Sequence, residues 1–456
     1  MGLKKSIIGS WNKLSSWKKV WITGLLFVAA NLTFSNWLLV NWQGLMWSDM
    51  AGYYQWLPAV FIKHDILAQP YAFYLPYGTP FNRYTYGVSI LILPFFLVSH
   101  LYSLIMGLPT DGRSAVYGAS IVAAAITWCY VGLYLLYREL KKQFPAKASF
   151  ITVFMLFFAS NIFYYSDIES GMSHVFGFFL VAWIVFSTPR FWAKPNVRNS
   201  IWLAIPLGIA VLIRPTNLVL SFYIILYGIH SFKALKERIA AVFGMWDSWL
   251  IFFVIGILFW IPQSYYWHAT TGDWITYPYK YSFTPNETFR NLESPKIFQV
   301  LLSPRSGWLL YSPFMILAVI GLYKCARLNK FNIWGILLPF LLILYFDASW
   351  WIFTFACSFG YRALIETYPL LVIPLGLIVT QILAYRKVAA KITVIFFACI
   401  LLYTNVRMSY IYNKAPCWDG KNWGWPQYNL IWNKVFWLSN YRNDIPPCDL
   451  EEAKPE

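Results

Sequence analysis

Residues 114–137 read SAVYGASIVAAAITWCYVGLYLLY, a run of 24 residues without one charged side chain. An α-helix needs about 20 mostly apolar residues to cross the roughly 30 Å hydrocarbon core of a bilayer. Arg138 follows the run directly, at the point where such a helix would leave the hydrocarbon. The stretch therefore predicts a transmembrane helix, and the same pattern recurs along most of the chain.

The composition indicates a membrane protein over its whole length. Of 456 residues, 59% are hydrophobic and 12% are charged, whereas a soluble domain carries about 25% charged residues. So few charges cannot cover the surface of a soluble protein. The apolar runs are long and continuous rather than alternating, which disfavours a β-barrel. We therefore expect an all-α polytopic membrane protein; collagen, a coiled coil, a disordered chain and a small disulfide scaffold are excluded.

Eleven stretches are predicted to cross the membrane as transmembrane helices. A further apolar stretch, 84–106, contains Pro94 and His100, and we expect it to lie along the outer face, or to dip into it, as a juxtamembrane helix. The predicted spans are 20–41, 114–137, 148–165, 171–188, 200–213, 215–231, 248–267, 307–323, 331–346, 363–384 and 392–411.

The distribution of Lys and Arg sets the orientation, because the cytoplasmic loops of membrane proteins are enriched in these residues. With the N-terminus inside and 84–106 outside, the inner segments hold 21 of the 36 basic residues and three of the 19 acidic ones. We therefore predict a multi-pass protein of the bacterial inner membrane, with a cytoplasmic N-terminus and a periplasmic C-terminus. The net charge of +17 is then a topology signal, and no nucleic-acid partner is expected.

The predicted outer side carries the larger loops, of which 42–113 is the longest. The chain divides into a membrane domain, residues 1–411, and a short outer tail, residues 412–456. The tail bears Cys417 and Cys448. In an oxidising compartment these cysteines form either a disulfide with each other or two free thiols.

Asp49 lies just beyond the first predicted span. An ionisable group near the hydrocarbon is costly unless it is paired or used in function. One interpretation is that Ser48 or Asp49 caps a helix that runs to His64. The other is a catalytic carboxylate, and the two are compatible because a capping carboxylate is rigidly held.

A second acidic group lies in the short outer turn between two predicted spans. Asp167 and Glu169 are two residues apart, and His174 lies one turn into the next helix. Two carboxylates and an imidazole near one membrane surface suit a divalent metal site or a proton relay. The alternative is a solvated turn with a capping acid and a hydrogen-bonded histidine, and the spacing is not a zinc signature.

Arg214 lies within a long apolar region, where a guanidinium is costly unless it finds an anion. Pro215 follows it and interrupts the helix. An arginine beside a helix start is suited to binding phosphate. The alternative is that Arg214 snorkels to the outer interface.

Further cations and aromatic side chains lie in the predicted outer loops. Each cation taken alone is as consistent with a membrane-surface anchor as with a ligand, but together they predict an electropositive outer cavity. The aromatic side chains exceed what an interfacial belt requires, and their faces suit sugar rings and isoprenoid chains. The additional candidate binding residues are Arg83, Lys280, Arg305, Arg362, Tyr53 and Tyr54.

The order of these elements resembles the membrane glycosyltransferases of the GT-C superfamily, which include protein O-mannosyltransferases and bacterial aminoarabinose transferases. The resemblance covers roughly residues 20–370 and lies in the order and position of the elements. These are Ser48-Asp49 followed by Gly52-Tyr53-Tyr54, the surface helix from Tyr86-Gly87 to Pro94, the turn with Asp167, Glu169 and Ser173-His174, Arg214-Pro215-Thr216-Asn217, Ser303-Pro304-Arg305-Ser306-Gly307 and Gly360-Tyr361-Arg362.

The resemblance implies an inverting transfer of a sugar from a polyprenyl-phosphate donor to an acceptor glycan, lipid or protein on the periplasmic face. Asp49 would then be the general base. Asp167 or Glu169 would position the acceptor or a divalent metal ion. Arg214, with Arg305 and Arg362, would hold the lipid phosphate as it leaves.

Two other functions stay open on the sequence. A transporter or lipid flippase without covalent chemistry would show charged residues in the middle of several spans and internal repeats. A polymerase of polyprenyl-linked glycans also uses outer-face arginines, but it would not need the loop that contains Asp49. The acids lie at the outer ends of the spans and the Asp49 loop is present, so the sequence favours the transferase.

Overall fold

The computed structural model describes most of the chain and shows a nearly all-α protein. Among the described residues, the strands form one two-stranded antiparallel sheet, in which β1 (Phe73–Tyr74) pairs with β2 (Pro80–Phe81). The expected α-helical class is therefore confirmed. The described residues are 16–37, 46, 48–69, 73–74, 78, 80–281, 288–414, 417–420 and 423–437.

The α-helices are numbered in chain order. The first nine are α1 Ser16–Trp37, α2 Ser48–Tyr54, α3 Trp56–Phe61, α4 Gly87–Ile105, α5 Ala115–Leu140, α6 Ala146–Phe158, α7 Ile162–Asp167, α8 Ser173–Ala193 and α9 Val197–Ile213. The next ten are α10 Leu220–Ile225, α11 Phe232–Gly244, α12 Trp246–Thr271, α13 Ile297–Leu302, α14 Trp308–Tyr311, α15 Ile316–Leu328, α16 Ile333–Ala348, α17 Tyr368–Leu383, α18 Val388–Lys414 and α19 Trp425–Trp437. Short 3-10 helices cover Pro215–Val219, Pro278–Tyr281, Pro313–Met315 and Arg362–Thr367.

Six helices in the described part of the chain are long and apolar enough to cross a membrane. They are α4, α5, α8, α12, the continuous helix 362–383 and α18. Five shorter apolar helices each fall on a stretch predicted to span. The predicted span 307–323 is divided between α14 and α15 because Pro313 interrupts it. The protein is therefore a multi-pass membrane protein, whereas the count of eleven spans stays a prediction.

Helix α4 covers the stretch that we expect at the outer face, and by length and composition it could also span. The start of α4 and the loop that follows α4 both lie beside α2. The Ser89 hydroxyl, near the start of α4, donates to the Tyr53 carbonyl. After the end of α4, the Gly112 carbonyl accepts a hydrogen bond from the Tyr54 hydroxyl at 2.8 Å. The chain after α4 therefore returns to α2, and the outer-face position of α4 stays a prediction.

Helix α8 and the continuous helix 362–383 form the centre of the bundle. In the most apolar part of 362–383, 94% of the residues are buried, so this helix lies away from lipid. Gly177 of α8 allows the close approach of the two helices, since a Cβ there would lie 2.6 Å from Cδ of Glu366. A glycine at this position therefore brings a buried carboxylate next to α8.

The bundle carries polar groups at both ends. At one end α8 begins with Ser173 and His174. At the other end, Arg190 of α8 pairs with Glu139 of α5, with 3.5 Å between Nη1 and Oε2, and Lys142 Nζ lies 2.6 Å from the same carboxylate. About 24 Å of helix separates His174 from Arg190 at a rise of 1.5 Å per residue. We call these two ends the site end and the opposite end.

A cavity of about 230 Å³ lies among α5, α8, α10, α16 and α17, in the half of the bundle towards the opposite end. Its polar lining includes Glu139, Tyr227 and Asn332, and its apolar lining includes Phe331 and Leu370. None of the arginines that the sequence places at the outer face lines it. The cavity is therefore separate from the site described below.

The cysteine pairing differs from the expectation. Cys417 forms a disulfide with Cys357 rather than with Cys448, and Cys448 lies outside the described residues. The prediction compared only the two tail cysteines, but the tail folds back onto the loop between α16 and α17, where Trp418 is buried against Phe359. Helices α17 and α18 lie between the two bonded cysteines, so the disulfide joins the loop and the tail at one end of the bundle.

Candidate functional site

Asp49 lies in the first turn of α2, at the site end of the bundle. Arg362, which begins the 3-10 turn before α17, donates from Nη2 to Asp49 Oδ2 at 3.3 Å. The Tyr84 hydroxyl donates to the other oxygen, Oδ1. Both carboxylate oxygens thus bind partners from other parts of the chain, and α2 is tied to the central helix of the bundle.

The charge of Asp49 follows from these partners. Burial raises the pKa of the carboxyl, but the Arg362 guanidinium, the Tyr84 hydrogen bond and the Arg83 charge outweigh burial and hold that pKa below its usual range. Asp49 is therefore ionised at neutral pH. Its side chain is 27% exposed, so a ligand can reach the carboxylate.

Tyr84 reaches Asp49 because residue 52 is glycine. A Cβ at Gly52 would lie 2.0 Å from Tyr84 Cδ2, far inside van der Waals contact. The Tyr84 ring packs edge-on against Tyr53, with 4.9 Å between centroids. Trp56 Nε1 donates to the Tyr84 carbonyl at 3.1 Å. These contacts fix the segment before α4 against α2 and α3.

A second charged group lies beside the first. Glu366, which is 3% exposed, pairs with Arg214, with 3.5 Å between Oε1 and Nε. His174 Nδ1 lies 3.2 Å from the same oxygen, and Asn217 Nδ2 donates to Oε2 at 3.1 Å. His174 Nε2 lies 3.5 Å from Arg214 Nη2. Because Nδ1 faces a carboxylate and Nε2 faces a guanidinium, a neutral histidine with its proton on Nδ1 can donate to Glu366 and accept from Arg214.

The Arg214–Pro215 element places these groups. Arg214 follows the last residue of α9 in an extended conformation, and Pro215 begins the 3-10 turn that carries Asn217. The break in the helix therefore turns Arg214 and Asn217 towards the same carboxylate. The Arg214 side chain remains 22% exposed, so its guanidinium is paired with Glu366 and also accessible to a ligand.

Phe355 joins the two charged groups. Its carbonyl accepts a hydrogen bond from Arg362 Nη2 at 2.8 Å, and its ring centroid lies 5.8 Å from Arg214 Cζ. Phe355 and the two residues after it, ending at Cys357, all have positive φ, a conformation that costs about 1–3 kcal/mol for each such residue. The disulfide of Cys357 therefore anchors the loop that contacts both arginines.

Arg83 brings a third guanidinium to the site. Its Nη2 donates to the Tyr84 hydroxyl at 3.0 Å. Its Cζ lies 5.2 Å from the Tyr84 ring centroid and 5.3 Å from that of Tyr279, which belongs to the 3-10 turn after α12. Three guanidinium groups and two ionised carboxylates thus meet at the site end. We name the following residues the charged cluster: Asp49, Arg83, His174, Arg214, Arg362 and Glu366.

The two acids between α7 and α8 have separate surroundings, and the turn is buried rather than solvated. Glu169 Oε1 accepts from the Tyr164 hydroxyl at 3.0 Å, and its other oxygen is buried without a hydrogen-bond partner. Burial raises the pKa of Glu169 to about 7, although the Arg362 charge lowers it. Asp167 is fully buried and accepts from Ser166 Oγ at 2.7 Å. Glu169 therefore borders the charged cluster, whereas Asp167 is enclosed by the bundle.

Three predicted binding residues have contacts elsewhere. The Tyr54 hydroxyl bonds to a backbone carbonyl in the loop after α4. Lys280 Nζ lies 5.7 Å from the centroid of the Tyr281 ring. Arg305 Nε donates to the Trp423 carbonyl at 3.2 Å. The structure therefore does not bring these three side chains into the charged cluster.

Glu366 and Phe355 are parts of the site that sequence analysis missed. Glu366 lies four residues after Arg362, inside the predicted span 363–384. A carboxylate there is as costly as a lone guanidinium, and this cost was the signal that could have identified it as the partner of Arg214. Phe355 contributes a backbone carbonyl, which the residue type does not reveal.

The residues present do not form a ready-made metal site. Across the described part of the chain, no group of three or more His, Cys, Asp or Glu side chains is placed to hold an ion. Of the three acids predicted as a metal set, Asp49 bonds to arginine and tyrosine, Glu169 to tyrosine and Asp167 to serine. No step proposed below therefore involves a metal ion.

No family model matches the sequence, and no curated protein matches it. The structure alone therefore defines the class of protein. It is a nearly all-α, multi-pass membrane protein. One end of its bundle holds three guanidinium groups and two carboxylates around Tyr84 and Phe355.

Proposed function

We propose that this protein is a membrane glycosyltransferase of the GT-C type, which moves a sugar from a polyprenyl-phosphate donor to an acceptor on the outer face. Eleven spans, a cytoplasmic N-terminus and a periplasmic site in a bacterial inner membrane belong to the same proposal. The observation that carries it is the charged cluster, in which an ionised and accessible carboxylate, Asp49, lies among three guanidinium groups.

Asp49 is the proposed general base. Its carboxylate can accept a hydrogen bond from an acceptor hydroxyl and take the proton as the acceptor oxygen attacks the anomeric carbon. The bond between the anomeric carbon and the phosphate oxygen breaks, and the phosphate leaves with the electron pair. Because Arg362 lowers the pKa of Asp49, Asp49 is a weak base. We therefore expect proton transfer to be late, when bonding to the anomeric carbon has made the acceptor hydroxyl more acidic.

Arg214 and Arg83 are the proposed phosphate ligands. The Arg214 guanidinium is held by Glu366 and partly exposed, and Arg83 is held between two tyrosine rings. Rigid guanidinium groups stabilise the negative charge that grows on a leaving phosphate without having to reorganise. Three guanidinium groups against two carboxylates leave one net positive charge, which matches the single negative charge of a sugar phosphodiester.

Helix α4 supplies apolar surface for the lipid chain of the donor. Its last turns expose Val98, Leu101 and Ile105 by 68%, 58% and 72%. The helix begins three residues after Tyr84 and therefore runs from the charged cluster towards this apolar surface. An isoprenoid chain lying along α4 would keep its phosphate near Arg83.

The proposal is tested by measuring release of free polyprenyl phosphate by the purified protein in detergent. The donor is a lipid extract from a strain that lacks the gene, and the readout is mass spectrometry. We expect Arg214→Ala to lower release by about 100-fold. Arg214→Lys should lower release less, because lysine keeps the positive charge but lacks the planar guanidinium that donates two parallel hydrogen bonds.

Arg198→Ala is the matched control, because Arg198 is exposed near the opposite end of the bundle. It should release polyprenyl phosphate at the wild-type rate. Equal and small effects of Arg214→Ala and Arg214→Lys would show that Arg214 does not bind the donor. No release by the folded wild type from an extract that contains glycosylated polyprenyl lipids and acceptor would count against the proposed reaction.

A further inference from the structure

Helix α11, Phe232–Gly244, has no buried residue along its 13 positions. It is nevertheless a well-formed helix, and the Ser231 hydroxyl caps it by accepting from the Ala234 amide at 3.1 Å. An isolated helix shorter than about 12–15 residues is marginally stable in water. Burial of α11 against a further surface would therefore stabilise it as a helix.

One side of α11 is apolar and exposed. At 100° per residue, three large apolar side chains fall within about 40° of one another around the helix axis. They are Phe232, Ile239 and Phe243, with exposed fractions of 71%, 47% and 82%, and Trp246, which begins α12, is 71% exposed as well. Such a continuous stripe is typical of a helix whose partner is another apolar surface.

The opposite side of α11 is charged. Lys233 is 87% exposed and lies 4.0 Å from Glu237, one turn further along. Lys236 lies at the edge of the apolar stripe, and Arg238 lies on the far side of that stripe. Basic residues beside an apolar stripe suit a surface that is hydrocarbon beneath and negatively charged above.

The position of α11 identifies this surface. Only Met245 separates α11 from α12, a helix long and apolar enough to cross a membrane, which begins at Trp246. Arg238 holds α11 to the bundle, since its Nη2 donates to the Tyr227 carbonyl at 2.9 Å and its Cζ lies 3.5 Å from the Trp192 ring centroid. The apolar stripe is thus kept within about one helical turn of the start of a predicted span.

We propose that α11 lies in the membrane interface at the opposite end of the bundle, with its apolar stripe in the acyl-chain boundary and its lysines on anionic phospholipid head groups. The helix carries three basic residues and one acidic residue, so its net charge is complementary to an anionic leaflet. This inference concerns the end of the bundle away from Asp49 and does not depend on the proposed activity.

The test uses the full chain reconstituted in bilayers of phosphatidylcholine and phosphatidylglycerol, with accessible free cysteines replaced by serine. A fluorophore is attached after Phe243→Cys on the apolar stripe or, as the matched control, after Glu237→Cys on the charged side. Bromine on the acyl chains of one lipid at a time quenches a fluorophore in the acyl region, and aqueous iodide quenches one in water.

We expect brominated lipid to quench the label at position 243 and iodide to quench the label at position 237. Brominated phosphatidylglycerol should quench position 243 more than brominated phosphatidylcholine at the same mole fraction. Lys233→Gln with Lys236→Gln should reduce this preference by up to about fivefold per lysine, and both side chains are exposed, so the fold should be kept.

Two results would overturn the inference. If iodide reached position 243 as readily as position 237, α11 would lie away from the membrane. If the two brominated lipids quenched position 243 equally in the chain with both lysines, α11 would contact lipid without recognising anionic head groups.

Discussion

The Arg214–Glu366 contact should behave as a coupled, buried ion pair. At 3.5 Å and an effective dielectric constant of about 20, the attraction between two unit charges is about 5 kcal/mol. Desolvation offsets part of this attraction, and the 22% exposure of Arg214 weakens the rest by solvent screening. We therefore expect Glu366→Gln to lower the free energy of unfolding by about 2–3 kcal/mol, because it leaves a guanidinium in a mostly buried site without its counter-ion.

A double-mutant cycle isolates the interaction from other effects of each change. Glu366→Gln, Arg214→Gln and the double variant would be unfolded by SDS titration in mixed micelles, and the free energies compared with the wild type. The double variant should be about as stable as Glu366→Gln alone, which corresponds to a coupling energy of about 2 kcal/mol. Additivity of the two single changes within about 0.5 kcal/mol would refute the ion pair as a structural unit.

The chain offers a matched control for this cycle. Lys233 and Glu237 are 4.0 Å apart on α11 and are 87% and 67% exposed. An exposed pair one helical turn apart contributes about 0.3–0.5 kcal/mol. The same cycle on this pair should therefore give a coupling energy several times smaller, although both pairs join a cation to a glutamate.

Three further predictions concern the packing, charge and covalent links of the site. Gly52→Ala should lower turnover by about 100-fold, since the added Cβ displaces Tyr84, which bonds Asp49. Gly256→Ala, where a Cβ meets open space, should retain turnover, and equal rates in the two variants would contradict the role of Gly52. Because the pKa of Glu169 is raised to about 7, the free energy of unfolding of the wild type should fall by up to about 1.4 kcal/mol per pH unit as pH rises from about 4.5 to about 7. Glu169→Gln should lack this pH dependence, and an unchanged pH dependence would refute the raised pKa of Glu169. Cys417→Ser should lower the thermal midpoint by the equivalent of about 2–4 kcal/mol, whereas Cys399→Ser, which alters an exposed free thiol, should not, and identical midpoints would contradict a stabilising disulfide.

The helical architecture was largely predictable because the membrane imposes a simple rule. A run such as 114–137 has no charge to place in hydrocarbon, and a helix satisfies its backbone hydrogen bonds within one segment. The same rule does not fix how a short run behaves. The predicted span 307–323 contains Pro313, and there the structure has two helices in place of one. Length and apolar composition also do not separate a spanning helix from an interfacial one, as α4 shows.

Several residues of the candidate site could be predicted one by one from the sequence, but the contacts between them could not. Asp49 and Arg214 were identified from the cost of a charge near the membrane, His174 from its position after two acids and Arg362 from its predicted outer position, and the structure brings them together. Their partners depend on which helices adjoin, and the pattern of one helix does not specify its neighbour. Glu366 is the clearest case, since it became a partner of Arg214 through the packing of α9 against the centre of the bundle.

The same limit applies to Cys417. The prediction considered Cys448 because it shares the outer tail with Cys417, but a disulfide depends on distance in space, and two intervening helices return the chain to Cys357. Lys280 and Arg305 show the opposite error. Both lie in loops that are predicted to be outer loops, but loop position does not determine the direction of a side chain, and these side chains contact Tyr281 and Trp423 instead.

Turnover by Asp49→Asn tests the proposed reaction most directly, because asparagine keeps the size of the side chain and removes its charge. Wild type, Asp49→Asn and Asp273→Asn would be compared for release of polyprenyl phosphate in detergent. Asp273 is exposed after α12, so its variant controls for the same chemical change away from the site. We predict release by the wild type and by Asp273→Asn, and a loss of at least about 100-fold in Asp49→Asn. Release by Asp49→Asn at the wild-type rate would contradict the role of Asp49 as the base.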